Sequence, residues 1–225
     1  MSKLAFLSAL AIAGLVAAPL AQAESEQQQA VDDAATVVEH IRSGHDDIAA
    51  KARELIHQAR AVMIIPELVK GGFFIGAQGG TGVLMARAGA HDWSDPAFFA
   101  MGAGSFGLQI GVEVSKVVLI VMSDHALNAL MENRVKLGAE AGLAVATLGA
   151  GGEASTTTHG GADIYVVAES KGLFGGVAIE GGVVEPRTSW DAAYYGPHTT
   201  VRDIIIRRKV TNPGATGLQR SMDAI

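Results

Sequence analysis

Ser105, set in Ala103-Gly104-Ser105-Phe106-Gly107, falls one residue short of the G-x-S-x-G turn that exposes a nucleophilic serine. Around it, Gly102, Gly104 and Gly107 spell the phosphate-cradling string G-x-G-x-x-G. Both patterns do chemistry only where a strand turns into a helix, whose first amides meet an oxyanion or a pyrophosphate. Here strand-like sequence continues on either side, so Ser105 reads as a strand serine and a hydrolase built on it is the enzymatic alternative. The seven histidines are dispersed, with no close helical pair, and there is no cysteine. No metal site and no cofactor are expected from such a set. Asp46-Asp47 reads as a helix cap and Glu180 as the water-facing side of a strand, which leaves no carboxylate pair for acid-base work.

Binding chemistry remains. Lys70, Arg87, Lys116, Lys136, Lys171 and Arg187 sit singly at the ends of strand-like segments, and Arg202, Arg207, Arg208 and Lys209 gather near the C-terminus. A rim of this kind suits a phosphate-bearing surface, where each basic residue contributes about 1 kcal/mol next to an anionic membrane. Trp93, Phe98, Phe99 and Phe174 are candidates for ring contacts at headgroup depth, with core packing as their alternative role. The overall charge is acidic, 17 basic residues against 23 acidic for a net −6, which argues against nucleic acid. It does not argue against a membrane surface, which feels only the local patch within about 10 Å.

These residues must be positioned by something, and the glycines say what. From 70 to 121, and again from 171 to 184, glycines recur inside apolar, β-branched sequence. Glycine disfavours helix by about 1 kcal/mol and marks bends and bulges in strands, so the core is expected to be curved β-structure. Strands are expected over 73–78, 82–87, 97–104, 108–114 and 117–122, the last being a central strand buried on both faces, and again over 136–147, 163–168 and 173–184. Upstream, Val31, Ala34, Ala35, Val38 and Ile41 predict one amphipathic helix. Ile48, Ala52, Leu55, Ile56, Ala59, Val62 and Met63 predict a second, capped by Asp46 or Asp47 and followed by Pro66. A brief helix over 126–132, capped by Ser123 or Asp124, a loop over 149–161, an aromatic turn over 190–196, a short helix or strand over 201–208 and a loose tail after Pro213 complete the reading.

Lys3, the apolar run 4–18 and Ala21-Gln22-Ala23 form a signal-peptide pattern, with cleavage expected after Ala23 and one domain over 24–225. Loss of Lys3 makes the mature charge −7. Such a leader would place the mature chain in the periplasm of a Gram-negative source, or outside the cell.

Several segments together resemble the SYLF family. They are Ile65-Pro66 with Lys70-Gly71-Gly72-Phe73, Gly80-Thr81-Gly82-Val83-Leu84, Trp93-Ser94-Asp95-Pro96-Ala97-Phe98, Gly104 to Gly111, Ser170-Lys171-Gly172-Leu173-Phe174-Gly175-Gly176 and Ala193-Tyr194-Tyr195-Gly196. The resemblance covers roughly residues 30–206. It implies a lipid-binding module without enzymatic activity: eukaryotic relatives bind phosphoinositides and some act on actin, while bacterial relatives are secreted. The leader pattern and the lack of a partner domain keep the actin role and the phosphoinositide preference from being carried over. The expectation is an α+β domain, N-terminal amphipathic helices packed on a curved, glycine-rich antiparallel sheet or partly closed β-barrel. It would act as a periplasmic, peripheral phospholipid-binding protein that meets anionic headgroups through a basic and aromatic rim of Lys70, Trp93, Phe98, Phe99, Lys171, Phe174 and Arg187. The alternatives are a lipid hydrolase using Ser105 and an envelope scaffold without a specific ligand, and the oligomeric state is open.

Overall fold

The computed structural model describes residues 25–225 apart from 73–74, 90, 107–110, 133, 139–142, 149–153, 157–161, 171–172 and 176–180. Two helices open the chain, α1 (Glu26–Ser43) and α2 (Asp47–Gln58). Each begins where a side-chain oxygen accepts a first-turn amide, Ser25 Oγ from Gln28 N at 3.1 Å and Asp46 Oδ1 from Ala49 N at 2.8 Å. Helix α2 stops before the sequence pattern does. The Arg60 amide donates to the Val121 carbonyl and the Arg60 carbonyl accepts from Arg87, so the chain is captured by the sheet there. Val62 and Met63, expected in the helix, instead lie in a 12-residue strand, β1 (Ala61–Gly72).

Strand β1 pairs antiparallel with β2 (Ile75–Gly89) on one side and with β5 (Gly111–Val121) on the other. Pro66, which lacks an amide proton, sits where both registers shift, so it marks a bulge rather than the end of a helix. The sheet continues outward from β2 to β4 (Ala97–Phe106), β11 (Val183–Pro186) and β6 (Val135–Lys136), and from β5 to β9 (Ile164–Ser170), β7 (Val145–Leu148) and β8 (Ala154–Thr156). Two short strands, β3 (Asp92–Trp93) and β10 (Leu173–Gly175), attach to β2 and β9. The result is a strongly curled half-barrel, α+β as expected. It is mixed rather than purely antiparallel, because β7 runs parallel to β9. The segment expected to be one strand pair over 173–184 splits, its two halves pairing with different strands. Strand β8 falls inside the expected loop 149–161.

Both faces of the sheet's centre are covered. On one, Val62, Ile64, Val83, Phe98, Val118 and Ile120 meet α1 and α2 through Val38, Ile41, Leu55 and Ile56. On the other, Met63, Leu84, Phe99, Leu119 and Val166 meet α3 (Asp124–Glu132) and α5 (Val201–Ile205). Alternate residues of β5 point into opposite cores, which bears out its expected place as a central strand buried on both sides. Ser123 Oγ caps α3 by accepting from Ala126 N at 3.1 Å.

Two C-terminal expectations are corrected. The aromatic turn expected over 190–196 instead lies almost wholly in helix α4 (Thr188–Tyr195). The tail is not loose: a 3-10 turn (Pro213–Ala215) and α6 (Thr216–Asp223) dock on α1, burying Leu218 and Met222. Asn212 fixes the approach by donating its amide to Asp95 Oδ1 and its side-chain NH2 to the Tyr194 carbonyl, both at 2.9 Å. Leu218→Ala should therefore lower unfolding free energy by about 3 kcal/mol, as core truncations do. Urea denaturation checks this, and a loss under about 0.5 kcal/mol would mean that the tail carries no weight.

Candidate functional site

A groove lies between α1 and the bulge of β1 at Pro66. Two adjoining hollows share Asp33 of α1 with Pro66 and Glu67 of the bulge. The larger, about 510 Å³, is walled by Val69, Gly80, Thr81, Arg187 and Trp190. The smaller, about 290 Å³, is walled by Thr36, Val114, Ser115, Lys116 and Glu169.

Each end of the groove holds one fixed cation. Arg187 lies just before α4, its guanidinium 3.6 Å above the Trp190 ring while it donates to Thr81 Oγ1 at 2.7 Å. Lys116 of β5 stands opposite Glu169 of β9 in register, and its ammonium lies 3.2 Å from both carboxylate oxygens. His40 of α1 closes that cluster, its Nδ1 at 2.9 Å from Lys116 Nζ and 3.3 Å from Glu169 Oε2. Glu169 is only 6% exposed, so its charge is held by these partners rather than by water.

Beyond the bulge the strands carry an apolar face that the helices do not cover. Val69 of β1 and Val114 of β5 are cross-strand partners, and Val112 follows two residues along β5 on the same face. They are 39%, 48% and 77% exposed, and Val69 and Val114 also line the groove. A water-exposed valine trio beside a polar groove is an amphipathic surface. Sequence reasoning missed it, although the alternation Val112-Glu113-Val114 carried the signal of a two-faced strand end.

The residues expected to form the site do not all come together. Arg187 lines the groove, and Lys70 lies on β1 opposite Glu113, one residue beyond Val69. Trp93, Phe98 and Phe99 are buried, Trp93 and Phe98 in the core under α1 and Phe99 in the opposite one. Their rings take the alternative role of core packing, because large apolar side chains gain most from complete burial. Phe98 sits edge-on to Trp190 and Tyr194 at 5.7 and 5.3 Å. Lys171 and the side chain of Phe174 lie outside the described residues, as do residues 1–24 with the expected leader.

Most of the expected basic rim is tied up internally. Arg202 pairs with Glu132, Arg207 and Lys209 with Asp203, and Arg208 with Asp92. Arg87 stacks on Trp93 and donates to the Ile56 carbonyl. Ser105 lies inside β4, opposite Gly76, and the strand runs on to Phe106 with no turn into a helix at the serine. No helix among the described residues is long and apolar enough to cross a membrane.

Fold and groove define an α+β half-barrel domain with an open cleft between its first helix and a bulged central strand. Residues 102–225 match the family model described as Ysc84, Las17-binding protein actin regulator, and the chain belongs to that Ysc84, or SYLF, family. It is 31% identical to Protein YSC84 of Saccharomyces cerevisiae over 173 residues, 76% of this chain and 37% of that one. It is 30% identical to the human SH3 domain-containing YSC84-like protein 1 over 165 residues, 73% of this chain and 47% of that one. LAS seventeen-binding protein 3 of Saccharomyces cerevisiae is 28% identical over 174 residues, 76% of this chain and 38% of that protein. The chain thus spans less than half the length of these relatives.

Proposed function

We propose that this domain is a non-enzymatic, peripheral phospholipid-binding module that works in the periplasm or outside the cell. The observation that carries the reading is the exposed Val69, Val112 and Val114 face, which adjoins a groove with Arg187 at one end. In this arrangement the valines enter the boundary between headgroups and acyl chains, and the groove takes the headgroup. Arg187 meets its phosphate. Together the three valines expose roughly one and a half side chains' worth of surface, so lipid contact contributes about 3 kcal/mol. That alone gives reversible adhesion, and attraction of nearby cations to anionic lipid adds to it.

The groove also explains why a modest number of free cations suffices. Arg187 is already oriented by Trp190 and Thr81, so little side-chain entropy is lost when a phosphate arrives. The Las17 binding and actin regulation in the family's description belong to proteins more than twice as long, and an exported chain would not meet cytoplasmic partners.

Co-sedimentation of the mature protein with phosphatidylethanolamine vesicles containing increasing phosphatidylglycerol tests this. The bound fraction should rise with phosphatidylglycerol and fall with salt. Protein that stays in the supernatant at every composition and salt concentration overturns the reading.

A further inference from the structure

Helix α4 carries two groove-lining positions, Arg187 at its N-cap and Trp190 in its first turn, and the next residue points the other way. Asp191 is 0% exposed. Its Oδ1 accepts the Phe98 amide of β4 at 2.9 Å, while its Oδ2 has no hydrogen-bond partner. Arg187 offers helix α4 no side-chain cap. Among the described residues its other polar ties to the sheet are the Arg187 amide on the Phe98 carbonyl, the Tyr195 hydroxyl on the Pro96 carbonyl and the Arg187 contact with Thr81, beside the edge-on packing of Trp190 and Tyr194 on Phe98.

We propose that Asp191 is a positioning residue whose protonation state sets how firmly α4, and with it the Arg187 and Trp190 wall of the groove, is held against β4. A neutral carboxyl fits a dry site with one donor, whereas a carboxylate there is a buried charge with a single hydrogen bond. The groups around it offer no compensation. From α4 itself the titratable neighbour is Tyr195, from β4 there is only the Phe98 amide, from the segment before β4 comes Asp95, and from α1 Asp32 bears on Tyr194. Arg187, one turn earlier on the helix, turns its guanidinium onto Trp190 and Thr81 instead.

Burial, only partly offset by the Phe98 amide, pushes the carboxyl from its usual 3.8 up to about 7. The folded value lies above the open one, so closed α4 carries a proton that open α4 releases. The closed state is therefore fully favoured below about pH 4 and loses ground as pH rises, until the loss levels off above pH 7. If opening exposes Asp191 to water, the opening equilibrium grows by up to about a hundredfold between pH 5 and pH 8. The device stands whether or not the groove takes lipid, and its test is run without any.

Hydrogen exchange of the intact protein, with protection factors corrected for the intrinsic pH dependence, reads that opening at the amides of α4 and of Phe98. In the wild type, protection should fall by up to about a hundredfold from pH 5 to pH 8, about tenfold per unit until it levels off above pH 7, while α2 stays flat. Asp191→Asn keeps an oxygen for the Phe98 amide and has no proton to lose, so its α4 profile should be flat. A wild-type α4 profile without the fall, an equal fall in α2, or the same fall in Asp191→Asn overturns the proposal. If the variant does not fold, the contrast between α4 and α2 in the wild type decides alone.

Discussion

Gly82→Ala should lower the unfolding free energy by about 3 kcal/mol, one of the largest effects expected of a single methyl group in this protein. Gly82 lies on β2 where β1 bends at its bulge. A Cβ there would stand 2.5 Å from the Ile64 carbonyl oxygen and 2.7 Å from Ile65 Cγ1. Neither neighbour is the free end of a flexible chain: one is backbone, and the other belongs to a fully buried side chain. Overpacking of this kind costs about 1–3 kcal/mol and more when backbone must move. For a domain of this size the loss corresponds to a fall in Tm of about 10 °C. Gly79→Ala is the matched control, because a Cβ there meets nothing closer than the Met101 carbonyl oxygen at 3.7 Å. Urea denaturation of the two variants checks the account. Equal stability would mean that β1 and β2 do not approach each other so closely at the bend.

Val112→Asp combined with Val114→Asp should weaken vesicle binding by about a hundredfold while leaving the fold intact. Val112 and Val114 carry about three quarters of the roughly 3 kcal/mol assigned to this face, and each factor of ten in affinity takes about 1.4 kcal/mol. The new carboxylates would also oppose anionic lipid. Both positions are exposed, and surface changes usually alter stability by about 0.5 kcal/mol, although aspartate's low strand propensity adds to that. Co-sedimentation separates the cases: unchanged binding by a folded double variant would remove the valine face from the site.

How much of this was legible beforehand depended on where the deciding contact lies. Helix α1, the caps of α2 and α3, each narrowed to two adjacent residues, and the central run of β5 from Val117 were readable because their causes are local: apolar spacing, a cap residue, a run of β-branched side chains. The start of β1 was not, because Val62 and Met63 continue the apolar spacing of α2, and only the sheet, taking up the Arg60 amide, ends the helix. Pro66 misleads for the same reason, since a proline that stops a helix and one that fills a bulge look alike in sequence.

Helix α4 hides behind its aromatics. Trp190, Tyr194 and Tyr195 resemble an exposed turn until Phe98 and the Pro96 carbonyl supply their partners nearly a hundred residues upstream. The ion pairs of the basic residues were only partly legible: Glu132 for Arg202 and Asp92 for Arg208 are remote in sequence, whereas Asp203 lies within one helical turn of Arg207. Motif spacing fixed the family, whereas the groove arises from a bulge and a helix that no motif joins.

The most direct measurement places a single reporter on the valine face. The chain has no cysteine, so Val112→Cys can be labelled at one site with a polarity-sensitive fluorophore, and Asn128→Cys on the opposite helical layer serves as its control. On vesicles rich in phosphatidylglycerol, the label at 112 should shift to the blue and become shielded from iodide, while the label at 128 stays accessible. A label at 112 that remains as open to iodide with vesicles as without them would contradict a lipid-facing role for this end of the sheet.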